Sequence, residues 1–337
     1  MFAATIAVVG MMQSGAGAAS DDLAFAVAQR MGRGVNVLGF DGIWDGGTDA
    51  PFRLSQFAKI RAAGFGHVRI NLFGFKYMDE ANVISPTVLD DLDRVLDAAI
   101  AAGLLPVIDE HDNEICQNVE PDCAPRLLAF WSQISEREVH RHPEAVFEIL
   151  NEPGWKMTPA EWNDLAGRAL KLIRATNPAR TVIIAALNAG DIASVKLLKL
   201  PTSDRNIIVT VHYYEPFNFT HQGAPWDEKL KALHDIAWGS AADKQRVMAD
   251  LKIVADWAEA ARRPVYLGEF GVYDSASAAP RANYASFVAR AAEGFGWSWA
   301  WWQFDHDFAL FNQETQSWTQ SLLDALIPTT GAPATQP

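Results

Sequence analysis

The sequence predicts an α/β fold, a single (β/α)8 TIM barrel. From Gly34 onward, short β-branched and aromatic runs alternate with amphipathic segments; eight such pairs can be marked, and no low-complexity linker or long-period repeat separates them. Eight uninterrupted pairs favour one closed barrel over two domains. The expected strands are 34–38, 67–71, 105–111, 145–151, 181–185, 207–212, 265–269 and 297–302. The expected helices are 54–63, 87–102, 125–140, 159–176, 192–199, 242–261, 281–293 and 320–326.

Residues 1–20 carry no charged side chain; 2–12 are apolar, and small residues follow through Ala16-Gly17-Ala18-Ala19-Ser20. That pattern predicts a secretory signal, although its start lacks a positive charge. The expected organisation is therefore a signal at 1–20, a catalytic barrel at 21–328 and a frayed tail at 329–337, in a secreted or periplasmic protein. Ser85-Pro86 and Thr158-Pro159 each put a capping residue before a proline at the first helical position, and Gly103 follows the end of the second helix. Asp90, Asp91, Asp93 and Asp97 on that helix read as a solvated face. Cys116 and Cys123 are the only cysteines. A small-loop disulfide fits export, and two free thiols fit a cytosolic protein.

The fourth strand, Val146-Phe147-Glu148-Ile149-Leu150-Asn151-Glu152-Pro153, ends on an amide and a carboxylate. In a parallel barrel the carboxyl ends of strands face the cleft, so Asn151 and Glu152 are candidates for a site. The seventh strand supplies a partner, since Val265-Tyr266-Leu267-Gly268-Glu269 also finishes on a carboxylate. Two such groups are the minimal apparatus for cleaving a glycosidic bond. In the eighth strand Ser298, Ala300 and Trp302 share one face and Trp297, Trp299 and Trp301 the other. Small residues suit the barrel interior, which puts the three odd-numbered tryptophans against helices and Trp302 at the mouth. The same alternation turns Glu148 inward with Glu152, where it needs a buried partner.

Taken together, the strand ends gather Asn36, Arg69, His111, Asn151, Glu152, His212, Tyr214, Glu269 and Trp302 at one face. A cation such as Arg69 would keep a nucleophilic Glu269 ionised, and desolvation would raise the pKa of Glu152. Tyr214 is suited to hydrogen-bond the nucleophile, and Asn151 to hold a sugar 2-hydroxyl. Trp44, Phe73, Trp155, Trp226 and Phe304 follow strands and are candidate sugar platforms, whereas Trp131, Trp162 and Trp257 lie on helices and read as core. With 337 residues, 49% hydrophobic, 20% charged and a formal charge of −13, the chain is an ordinary globular protein. That charge argues against nucleic acid or an anionic membrane as partner. Acidic and histidine residues at 109–114 and 305–307 suit a divalent ion by type, but no metal-ligand spacing supports one, and they read as solvated loops. No metal and no cofactor are expected. A Gly-x-Ser-x-Gly elbow, a Walker loop and a dinucleotide fingerprint are absent from the sequence.

These residues resemble the cellulase family of (β/α)8 glycoside hydrolases, family 5. The matching stretches are Gly32-Arg33-Gly34-Val35-Asn36, His67-Val68-Arg69-Ile70, Phe147 to Pro153, Val211-His212-Tyr213-Tyr214, Phe217 to Trp226, Leu267-Gly268-Glu269-Phe270-Gly271 and Ala300-Trp301-Trp302-Gln303-Phe304. The resemblance implies a retaining mechanism with Glu152 as acid/base and Glu269 as nucleophile. By position it implies substrate-binding roles for Arg69, His111, Asn151, His212, Tyr214 and Trp302, and its pattern adds Asn36 and Trp226. The stretch Phe217 to Trp226 resembles endo-β-1,4-glucanases, some of whose relatives also cut mannan. The expected activity is thus that of a retaining endo-β-1,4-glucanase acting as a monomer on β-glucan. A β-1,4-mannanase or mixed-linkage β-glucanase on the same barrel is the alternative, and a non-catalytic carbohydrate-binding protein is the rival from another class. One departure is Asp109-Glu110-His111-Asp112-Asn113-Glu114, where such enzymes often carry His-His or His-Asn.

Overall fold

A computed structural model describes residues 16–39, 41–45, 50–117 and 123–328. Eight parallel strands close a barrel in sequence order: β1 Arg33–Val37, β2 His67–Leu72, β3 Leu105–Glu110, β4 Val146–Glu148, β5 Val182–Ala185, β6 Ile207–His212, β7 Val265–Phe270 and β8 Ser298–Trp301. β1 pairs with both β2 and β8, so the sheet has no open edge. Parallel neighbours need a crossover, and helices Gln56–Ala63, Pro86–Ala101, Cys123–Arg141, Pro159–Thr176, Ala241–Ala261 and Ala278–Gly294 provide six of them. The expected helix at 192–199 is instead a 3-10 run, Ile192–Leu197. The chain turns extended at Leu198, and a span this short cannot complete the turns an amphipathic helix needs.

Local signals act as read in most places. Thr158 and Glu161 form a reciprocal capping box ahead of Pro159, and Ser240 with Asp243 does the same for the helix before β7. Ser85 makes no capping bond, leaving Pro86 to open its helix. The aspartate face of that helix is not simply solvated. Asp93 is buried between Arg137 and Arg141, because the neighbouring helix Cys123–Arg141 brings their guanidinium groups to this face, and Asp91 pairs with Arg94 one turn along its own helix. Cys116 and Cys123 form a disulfide.

The barrel interior is layered. Leu105, Val107, Val146, Ile183, Ile208, Tyr266 and Ala300 pack together with Ala24, Ala28 and Met31 of helix Ala16–Met31, which seals the amino-terminal end. His67 is bonded to Met31 O at 2.9 Å and to Tyr266 Oη at 3.0 Å, which ties that helix to two strands. Gly34 makes room for the imidazole, since a Cβ there would lie 2.2 Å from the ring. The helix crosses the expected boundary between signal and barrel, and residues 1–15 and 329–337 lie outside the described residues. Above the apolar layer, the inward positions turn polar: Asn36, Arg69, Asn71, Asp109, Glu148 and His212. Outside it, Trp299 and Trp301 are fully buried against the helices, as strand alternation requires. Trp131 and Trp162 donate their indole N–H to Ile149 O and Ala185 O, holding the tops of β4 and β5, and Trp257 packs half-buried on the outer core.

Candidate active site

Glu152 and Glu269 reach the same cleft by two different local devices. Regular strand geometry in β4 ends at Glu148, and Glu152 has a φ of 42°, a left-handed conformation that side chains other than glycine rarely adopt. With strand geometry already lost, both Asn151 and Glu152 reach the site, Asn151 at Arg69 and Glu152 at His212, where simple alternation would separate them. In β7 alternation from the inward Tyr266 would aim Glu269 outward. Register irregularities against β6 and β8 insert a bulge near Gly268, which re-aims Glu269 into the barrel. One oxygen of each carboxyl and one ring nitrogen of His212 lie within 4.8 Å of one another.

Arg69 organises the floor. It is fully buried and donates to Glu148 through Nε and Nη2 at 2.8 and 2.9 Å, to Glu269 Oε1 at 2.7 Å and to Asn151 Oδ1 at 2.9 Å. Asp109 approaches the same guanidinium at 3.0 Å. Glu148 thus has its buried partner. Desolvation alone would lower the pKa of Arg69, but Asp109, Glu148 and Glu269 outweigh it and raise the pKa well above its ordinary value. Asn36 accepts from Arg69 and Asn71 and donates to Gly268 O, so its polar atoms are spent within the protein. Sequence reading did not name Asn71 or Asp109 as site residues. Both share the inward face with Arg69 and His111 at a spacing of two, and that was the signal available.

The remaining oxygens of the pair are held differently. Glu269 Oε2 accepts from Tyr214 Oη at 2.8 Å, so each oxygen of this carboxyl has a donor. Burial first, then Glu269 and Glu152, raise the pKa of Tyr214 well above its ordinary value and keep the phenol protonated. Glu152 bonds His212 Nδ1 at 2.9 Å and keeps a quarter of its side chain open to the cleft. Desolvation raises the Glu152 pKa from 4.5 to about 7, against the lowering influence of His111 and Arg69. His212 is itself shifted down by burial, so a neutral imidazole faces this carboxyl. Its Nδ1 is 3.6 Å from Glu269 Oε2, so the imidazole stands between the two acids while bonding only Glu152.

Aromatic groups frame the cleft. His111 stacks on Trp302 with ring centroids 5.4 Å apart, Phe73 meets the same imidazole edge-on, and Asp109 bonds His111 Nδ1 at 2.6 Å. Burial lowers the His111 pKa to about 3. On the other side Tyr214 contacts His221, which stacks on Phe217 and meets Trp226. Of the expected platforms, Trp44 and Phe304 are buried and belong to the core, while Trp155 and Trp226 are 67% and 55% exposed. Glu152, His212 and Glu269 also form a group of potential metal ligands, as do Asp93, Glu138 and His142 on the helices. Neither group includes residues 305–307, and in the helical group Arg137 and Arg141 already neutralise Asp93.

The family model described as cellulase (glycosyl hydrolase family 5) matches residues 29–307. The chain belongs to glycosyl hydrolase family 5. It is 28% identical to Endoglucanase H of Acetivibrio thermocellus, over 90% of this chain and 33% of that protein. It is 29% identical to Endoglucanase A of Clostridium longisporum, over 80% of this chain and 56% of that one. The chain therefore spans about a third to a half of the length of these two curated relatives. The endoglucanase Cel5A of Thermotoga maritima superposes with a TM-score of 0.84 at 35% identity, covering 90% of this chain and 99% of the other. A structure of that enzyme with mannotriose gives 0.85 at 34% identity, over 90% of this chain and all of the other.

Proposed function

We propose that the chain is a retaining endo-β-1,4-glucanase that cleaves by double displacement. The observation that carries this reading is the pair of carboxyls with oxygens within 4.8 Å and unlike surroundings. Retaining glycosidases keep their two carboxyls about 5–5.5 Å apart, and inverting enzymes need a gap of about 6.5–9.5 Å for a water. Glu152, its pKa raised to about 7, is the proton donor to the glycosidic oxygen. Glu269, with Arg69 and Tyr214 fixing both its oxygens, attacks the anomeric carbon as the leaving group departs. A water then enters, gives its proton to the Glu152 carboxylate and displaces Glu269 from the sugar. Proton and charge return to their starting places.

The other residues take roles that follow from what they touch. Asn151 accepts from Arg69, and its amide N–H groups remain available to the sugar 2-hydroxyl. With Nδ1 of His111 occupied by Asp109, Nε2 is left for a substrate hydroxyl. Trp302 beside it and Trp226 across the cleft offer apolar ring faces. Asn36 and Arg69 are fully buried, so they act through Glu269 and Asn151 rather than by touching sugar.

Secretion or periplasmic residence fits this activity, because a polymeric substrate lies outside the cell. The apolar stretch 2–12 and the Cys116–Cys123 disulfide support that placement. A second reading, β-1,4-mannan cleavage on the same barrel, is favoured by the mannotriose complex of the Thermotoga maritima relative. Reducing-sugar release from carboxymethyl cellulose and galactomannan separates the two. Faster release from the glucan is expected; release from galactomannan alone would replace the first reading by the second, and no release from either would refute both.

A further inference from the structure

We propose that Trp155 is a sugar platform on the leaving-group side of the cleft and sets how strongly the enzyme depends on sugars beyond the scissile bond. The inference rests on the glycanase reading above and specifies its substrate contacts.

The barrel order gives the direction of the substrate. Glu152 follows β4 and Glu269 lies in β7, so the line between them divides the mouth into an arc over β8, β1, β2 and β3 and an arc over β5 and β6. The two acids stand on opposite faces of the attacked ring, and the chain of sugars crosses between them. The first arc holds His111 and Trp302, which can grip and orient the ring under attack, above a buried network of Asn36, Asn71 and Asp109 that fixes the imidazole. The leaving group then departs over β5 and β6.

That second arc is flanked by the two exposed tryptophans among the described residues. Trp226 lies on the loop after β6 and is braced by Tyr273, with centroids 5.3 Å apart. Trp155 lies on the loop after β4, only three positions past the proton donor, which limits the separation of their Cα atoms to about 11 Å. The loop is pinned on both sides of it. Pro153 O accepts from Ala189 N, Gly154 and Met157 are buried, and Thr158 begins the capping box of the next helix. A single exposed aromatic on a surface is ordinary. This one is held on a short, anchored loop beside the acid, with no ring partner among the described residues, so its indole face is open to receive a sugar.

The test compares W155A and W155F with the wild type on cellopentaose and on β-cellobiosyl fluoride. Fluoride departs without placing a ring on the leaving side, so it does not use the platform. In W155A, kcat/KM for cellopentaose is expected to fall about tenfold further than kcat/KM for the fluoride, with W155F recovering much of the difference because a ring face is restored. Equal losses on the two substrates would mean that Trp155 supports the fold or the acid itself, and would overturn the proposal while leaving the glycanase reading intact. So would no loss on either, or a W155F variant as impaired as W155A. A wild type that cleaves neither compound would remove the underlying reading, and this inference with it.

Discussion

At the scale of single residues, the site works because two glutamates of one chemical type are given different surroundings. Glu152 is set in a desolvated wall beside a neutral histidine, and its pKa rises to about 7. A general acid must hold its proton, so kcat/KM is expected to decline as pH rises through about 7, and the decline should be absent in Glu152→Gln, whose residual activity is about 10²–10⁴-fold lower. The same shift affects stability. A carboxyl whose pKa is higher folded than unfolded favours the folded state most below its ordinary 4.5 and loses that contribution as pH rises toward 7. Melting temperatures should therefore show Glu152→Gln gaining on the wild type between pH 4.5 and 8; a constant difference would contradict the shift. Arg69 carries the opposite sign. Replacing it by Met leaves Glu148, Asp109 and Glu269 without their shared cation, and a loss of about 3–5 kcal/mol is expected in denaturant unfolding. Glu152, Glu269, Tyr214 and Arg69 were legible in the sequence because each is a polar residue within or just past a short apolar strand run. Asn71 was not singled out, and Asp109, read as part of a solvated loop, is instead a fully buried residue of β3, since an inward polar residue acquires a role only when its neighbour across the sheet is known.

At the scale of elements, the strands were legible and their irregularities were not. Composition and spacing locate β4 and β7, but whether Asn151, Glu152 and Glu269 reach one cleft depends on the early loss of strand geometry in β4 and a bulge in β7. Gly268 marks the second of these, and a glycine inside a strand pattern is the kind of signal that allows such a reading. The helix Ala16–Met31 shows the opposite difficulty. Its small apolar residues resemble a secretory cleavage region, while Ala24, Ala28 and Met31 fill the barrel's lower layer. The junction of this helix with the barrel passes through His67, which is held by Met31 O and Tyr266 Oη. Gly34→Ala would drive a Cβ into that ring, so it is expected to cost about 1–3 kcal/mol by displacing His67, with little change in KM. A variant as stable as the wild type would show that the imidazole is not fixed there.

At the scale of the whole molecule, closure of the barrel brings residues 117 positions apart in sequence to within a few ångströms, and the helices around it share a largely continuous outer core. The architecture followed from eight alternating pairs, because a parallel sheet with a helix after nearly every strand has few other ways to bury both faces. The crossover between β5 and β6 was misread as a helix, since its short apolar run contains too few residues to show a period. The Cys116–Cys123 disulfide closes only a short loop, so reduction should lower stability by about 2.5 kcal/mol without unfolding the barrel, as read by melting with and without reductant. The central claim is that Glu269 becomes covalently joined to the sugar while Glu152 manages the proton. Incubation with an activated 2-deoxy-2-fluoro-β-cellobioside, followed by peptide mass spectrometry, tests it most directly. The account predicts one glycosyl unit on the peptide containing Glu269; a label on Glu152, or hydrolysis of natural substrate to an α-configured first product, would contradict it.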